Sequence, residues 1–344
     1  MTIIGPAEYG GRINAYLCAA QSLNWPVILA LSLLCLPIAF FYNQPSVRPA
    51  LYVLSACLPG YLLLLVARRR QYVLNQPIRA FALSCLYALL VFAFIFICRL
   101  TGRLSSATAI AAIGMAWFVG FAFPAKSDLN ASDPKQIAGQ HWHYGKWLFG
   151  SAILAIGVAD MQTILLSMLV DLKSAGALRA LMNFVTPLAQ LLTVLSVYAL
   201  PRLSSRAAAW GSHRFLKQAL AFPAVMIALI AVYLGILTLF APQLEHLLYG
   251  GKMQAYVHWV PLLAASAFVA GIGASFSTLL RAVQNSQHQF IAGITGSIVG
   301  LACAFYLLRD LGISGALWSM LAANTTTTLI IIASYFWLLR RSHA

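Results

Sequence analysis

Long apolar runs, broken by short polar ones, cover most of the chain. Ten of them lie at 14–42, 49–67, 79–99, 106–123, 146–168, 179–200, 218–241, 256–280, 289–308 and 314–339. An α-helix rises ~1.5 Å per residue, so ~20 apolar residues cross the ~30 Å hydrocarbon core of a bilayer. Each run therefore predicts a transmembrane helix, and the fold class expected is all-α, a polytopic membrane protein of about ten spans.

One run departs from uniform apolarity. Within 179–200, Arg179, Asn183, Thr186, Gln190 and Thr193 recur at steps of three and four, which places them on one face of a helix. Polar groups facing hydrocarbon are unfavourable unless partnered, so this stripe predicts either the wall of a water-filled cavity or a packed interface joined by polar contacts. Pro187 interrupts the same helix and frees a carbonyl on the turn before it.

The polar stretch 125–145 reads as a linker and divides the chain into a four-span bundle, 1–124, and a six-span bundle, 146–344. Its His141 and His143 lack acidic or Cys partners at ligand spacing, and the run His141–Tyr144 fits an aromatic anchor at a membrane edge better than a metal site. Moving the first four spans along by about 211 residues lays them on or near the last four, with Arg70 landing on Arg281. Spans 146–168 and 179–200 have no mates in the first half, whose first two helices are expected to be missing.

Composition agrees with a membrane protein: 61% of residues are hydrophobic and 8% charged, with a mean hydropathy of +0.84, against about 25% charge in soluble domains. No cleavable leader pattern stands at Met1–Asn14. The net charge of +15 is largely topological. Fifteen Lys and Arg fall on the side holding both termini and seven on the other, so both termini are expected in the cytoplasm and nucleic acid is not needed as a partner. The six cysteines show neither disulfide nor metal spacing, and no cofactor is implied.

Few side chains carry candidate chemistry. Asp160 is the acid plainly inside a span, where an ionised carboxylate costs about 2.5–3.5 kcal/mol. It is expected either to couple transport to an ion or to hold a fixed salt bridge. Arg281 and the cluster Arg68, Arg69 and Arg70 stand at equivalent helix ends, as phosphate-capturing or membrane-anchoring cations. Asn324–Thr328 and the glycines Gly293, Gly296 and Gly300 read as helix packing. No nucleophile elbow, carboxylate pair or His–Cys–acid set emerges, so an enzyme is not expected.

Several short motifs together resemble a known family. Gly145-Lys146-Trp147, Ala159-Asp160, Gly176, Arg179, Asn183, Pro187, Pro201-Arg202-Leu203-Ser204, Tyr249-Gly250-Gly251-Lys252, Leu280-Arg281-Ala282 and Leu311–Ala316 look like the O-antigen and exopolysaccharide flippases of the multidrug/oligosaccharidyl-lipid/polysaccharide exporter superfamily. Met161 departs from it, standing where many relatives carry a basic residue. The resemblance implies two helical bundles around a central cavity, here four plus six spans. It also implies translocation of an undecaprenyl-pyrophosphate-linked oligosaccharide across a bacterial inner membrane. Partners would be that lipid-linked sugar, membrane lipids, and a polysaccharide polymerase or glycosyltransferases. Substrate contacts would fall to Arg179, Asn183, Gln190, Arg281 and Arg70, and ion coupling to Asp160. The alternatives are an organic-cation antiporter of the same superfamily, a membrane-embedded polymerase, or a truncated product that does not transport.

Overall fold

The computed structural model describes residues 13–41, 48–121 and 134–341. They are helical almost throughout, with no strand among them: α1 (Ile13–Phe41), α2 (Arg48–Val73), α3 (Pro77–Leu100), α4 (Ser106–Gly114), α5 (Ala116–Phe121), α6 (Pro134–Leu169), α7 (Leu172–Trp210), α8 (Ser212–Gln218), α9 (Ala221–Leu239), α10 (Ala241–Tyr249), a 3-10 turn at Gln254–Trp259, α11 (Val260–Ala282), α12 (Gln287–Leu311) and α13 (Ile313–Arg341). The described parts of the ten apolar runs fall largely on these helices, 106–123 on the pair α4 and α5 and 256–280 on the 3-10 turn and α11. Among the described residues eight helices are long and apolar enough to cross a membrane. The chain is a multi-pass membrane protein.

Several boundaries differ from the hydropathy reading: α7 extends past 179–200 at both ends. α6 begins at Pro134, inside the stretch expected to be a linker, because proline suits the first turn of a helix and the residues after it are compatible with helix despite their polarity. The chain divides into two compact units, Met1–His141 and Trp142–Ala344.

In the first unit α2 is central, packing on α1, α3, α4 and α5. Ser55 Oγ donates to Ser32 O at 2.7 Å, which ties α2 to α1, and Gly60 lies so close to Trp117 that any Cβ would collide with the indole. In the second unit α11 takes the same place, packing on α7, α9 and α13, while α12 lies along α13. Leu178, Leu181, Phe184 and Leu188 of α7 meet Met226, Ile230 and Leu234 of α9 and Leu263 of α11 in its apolar core.

The two central helices are followed by turns of the same kind. Asn75, after α2, has φ 55°, and Gln284, after α11, has φ 59°. In both turns the next amide reaches five residues back, Gln76 N to Gln71 O at 2.8 Å and Asn285 N to Leu280 O at 2.9 Å. These are Schellman closures with a side-chain-bearing residue at the left-handed position where glycine is usual. Gln289, two residues into α12, then accepts from Arg281 Nε at 2.8 Å.

Candidate functional site

α7 is 39 residues long and is capped by Asp171, whose carboxylate accepts from Ser174 N at 2.6 Å and from Ser174 Oγ at 2.8 Å. These bonds hold the exposed Asp171 carboxyl below its usual pKa. Leu178, Leu181, Phe184, Leu188 and Leu192 are buried, whereas Arg179, Asn183, Thr186, Gln190 and Thr193 are all exposed. The polar stripe thus lies away from the apolar core of its own unit, with Thr193 also lining a cavity. Its hydroxyls are internally satisfied, Thr186 Oγ1 donating to Met182 O at 3.0 Å and Thr193 Oγ1 to Ala189 O at 2.8 Å. Asn183 Nδ2 donates to Tyr249 Oη at 3.1 Å, and Tyr249 Oη donates to Ala180 O at 3.2 Å, so the end of α10 is moored to the stripe helix. In the turn before Pro187, the Phe184 carbonyl accepts from Tyr233 Oη of α9 at 2.8 Å.

Among the described residues, two partly open cavities stand out in the second unit. The larger, about 550 Å³, opens between α7, α11 and α13. Its walls are mainly apolar, with Gln162, Thr193, Ser196, Ser266, Thr278, Arg281 and Asn324 as the polar exceptions. Asn324 Nδ2 donates to Ser266 Oγ at 3.0 Å, and Thr278 Oγ1 and Ser196 Oγ are 3.2 Å apart, so this polar seam is cross-linked from helix to helix. The smaller cavity, about 380 Å³, lies on the other side of α11, against α12 and α13. Arg281 and Asn324 line both. No carboxylate stands among the described lining residues of either.

Of the described candidate residues, Arg281 lines these cavities; Arg179, Asn183 and Gln190 sit on the exposed stripe instead. Arg70 belongs to the first unit, on the last turn of α2, with its Nε buried. The side chain of Asp160 is outside the described residues, as is that of Tyr144. His141 is engaged, its Nε2 lying 2.7 Å from Tyr16 Oη, and among the described residues no cluster of His, Cys, Asp or Glu could hold a metal. Trp142 is exposed, as an interfacial anchor would be.

Gln162, Ser266, Ser277 and Gln289 were not singled out by the sequence pattern. Single polar residues on long apolar helices are too common to mark a cavity until the neighbouring helices are placed. The threonine run divides in function: Thr326 bonds back to Ala322 O at 2.9 Å, but Thr327 and Thr328 donate across helices, to Ala292 O at 3.3 Å and Val269 O at 2.9 Å.

No family model and no curated protein matches the chain. Solved structures do. A MATE mutant superposes with a TM-score of 0.83 at 12% identity, over 99% of this chain and 82% of that one. An outward-facing multidrug resistance MATE family transporter of the MOP superfamily gives 0.83 at 12%, over 98% and 80%. The lipid II flippase MurJ, in an inward closed conformation, gives 0.56 at 15%, over 96% and 74%. The chain has the fold of MATE transporters.

Proposed function

We propose that the protein translocates an anionic lipid-linked oligosaccharide, of the undecaprenyl-pyrophosphate class, across a bacterial inner membrane, with both termini cytoplasmic. The observation that carries this reading is the position of the α7 stripe. A basic and amide-bearing face lies outside its own bundle core, and such a face is stable beside water or a polar head group rather than beside lipid tails. Charge selects the substrate. Arg179 and Arg281 offer guanidinium groups suited to phosphate oxygens, and the described cavity walls contain no acid to attract an organic cation. On this reading Arg179, Asn183 and Gln190 guide the sugar and pyrophosphate, Arg70 and Arg281 capture the pyrophosphate at the cytoplasmic side, and Asp160 couples the cycle to a proton or other cation. A polymerase or glycosyltransferases would receive the product.

The MATE-like fold favours a second reading, export of organic cations, since one similar structure is a multidrug resistance transporter. Proteoliposomes separate the two. With a fluorescent polyprenyl-pyrophosphate oligosaccharide, the intact protein is expected to move label between leaflets, and Arg179→Gln to slow it ~10-fold, the loss of a charge-assisted hydrogen bond. Asp160→Asn is expected to abolish acceleration by an imposed cation gradient while normal protein levels persist. Uptake of a cationic dye, with no lipid movement, would establish the antiporter instead.

A further inference from the structure

The smaller cavity has features that packing alone leaves unexplained. It lies between α11, α12 and α13, and its volume of about 380 Å³ would hold about a dozen waters at ~30 Å³ each. Arg281 enters it from the last turn of α11, where the helix C-terminus favours a cation, and its Nε donates to Gln289 Oε1 at 2.8 Å. Gln289 stands in the first turn of α12, the end of that helix that favours an anion. One helical turn before Arg281, Ser277 lines the same cavity at 3% exposure, and its Oγ has no hydrogen-bond partner among the described residues. A buried hydroxyl in that state is unfavourable unless a bound group completes it.

Gly293 points to the same place. Gly296 and Gly300 meet α13 so closely that a Cβ would collide, as expected for helix contacts, but a Cβ at Gly293 would have nothing within 4 Å. Gly293 lines the cavity, so its missing side chain leaves the chamber open rather than letting two helices touch.

We propose that Arg281, Ser277 and Gln289 form an internal oxyanion site in the second unit, taking a phosphate-class group. The guanidinium supplies charge, the serine hydroxyl and the amide of Gln289 supply donors, and Gly293 keeps the space. Any cation entering would meet Arg281 and no carboxylate among the described lining residues. Because Arg281 also lines the larger cavity, an anion held here lowers the positive charge offered there. The site deepens the proposed reading, on which it rests for the lipid-borne source of the phosphate.

Equilibrium binding to the full-length protein in nanodiscs tests it, by calorimetry and by the shift in unfolding midpoint. The probes are inorganic phosphate, inorganic pyrophosphate and undecaprenyl pyrophosphate, with sodium and potassium chloride as the cation arm. At least one phosphate probe is expected to bind and raise the midpoint. Arg281→Gln should weaken binding by ~10- to 100-fold, as for a charge-assisted contact. Gly293→Leu should do the same by filling the chamber while leaving Arg281 in place, and Arg214→Gln, on the exposed face of α8, should change nothing. Should Arg281→Gln fail to fold, Gly293→Leu and Arg281→Lys carry the test, the lysine variant keeping part of the affinity. Saturation by soluble pyrophosphate identifies a free anion, and binding of the lipid alone identifies a head group. Both support the site.

Absence of binding by all three phosphate probes overturns it, as does binding that survives both Arg281→Gln and Gly293→Leu, or a sodium or potassium effect that needs Arg281. Failure of lipid translocation with phosphate binding intact removes the transport reading alone. Translocation without phosphate binding removes this one alone.

Discussion

At the scale of single residues, His141 shows how a polar group is fixed by its surroundings. It lies ahead of the apolar run of α6, 2.7 Å from the fully buried Tyr16, with the two rings edge to face at 5.8 Å. Burial holds its pKa down from 6.5 to about 4. Between those values the unfolded chain binds more protons than the folded one. The contribution of a neutral His141 is therefore complete above pH ~6.5, declines as pH falls through the window, and is gone below pH ~4. Unfolding midpoints of the protein and of His141→Gln, followed from pH 7.5 to 4, are expected to show a steeper acid loss in the natural protein. Parallel curves would mean that His141 contributes nothing to acid sensitivity. From sequence His141 reads as part of an interfacial anchor, with a metal site the weaker alternative, because the spacing of two to His143 says nothing about Tyr16, 125 positions earlier.

At the scale of helices, hydropathy located the spans well, since the length of an apolar run is set by the bilayer and needs no knowledge of tertiary contacts. Faces were legible where polar residues recur at helical spacing, as on α7. Contacts between helices were not, and the glycines of α12 show why. Gly293, Gly296 and Gly300 look alike in sequence, at steps of three and four, yet they play different parts. At Gly296 a Cβ would overlap Thr327 Oγ1 and come within 2.8 Å of Ala323 O, whereas at Gly293 it would meet open space. Gly296→Ala is therefore expected to destabilise by about 1–3 kcal/mol, the usual cost of overpacking. Gly293→Ala should be neutral or stabilise by up to ~1 kcal/mol through the higher helix propensity of alanine. Thermal unfolding of the purified variants gives the comparison directly, and equal losses at the two positions would contradict the contact geometry. The same glycines explain why the smaller cavity could not be read from sequence: it is lined by residues of four helices, α6, α11, α12 and α13, with Gly293 leaving space on one side.

At the scale of the whole molecule, the parity of membrane crossings decides which side each loop faces. Two segments make that parity worth testing. α4 and α5 have 9 and 6 residues and are divided at Met115, so their described length of about 24 Å, at ~1.5 Å per residue, falls short of a full crossing without the residues that follow. α6 is long, 36 residues, but opens with a polar stretch. If both segments cross, the loop at Arg103 and the one at Lys173 lie outside, the loop at Ser212 lies inside, and the termini share the cytoplasmic side that the charge bias of fifteen to seven demands. If only one crosses, every loop after it changes sides and the basic excess of the second half, with Arg202, Arg206, Arg214 and Lys217, would face outward against that bias. Single cysteines at the exposed positions Arg103, Lys173 and Ser212, in a protein whose six natural cysteines are replaced by serine, report the parity. A membrane-impermeant maleimide on intact spheroplasts is expected to label the first two and to reach Ser212→Cys only after permeabilisation. Labelling at Ser212→Cys without permeabilisation, with Lys173→Cys protected, would leave an odd number of crossings and put the Arg281 end of the cavities on the outer face. A cytoplasmic lipid-linked pyrophosphate could not then enter there, so this one topology measurement bears on the direction of transport as well as on the fold.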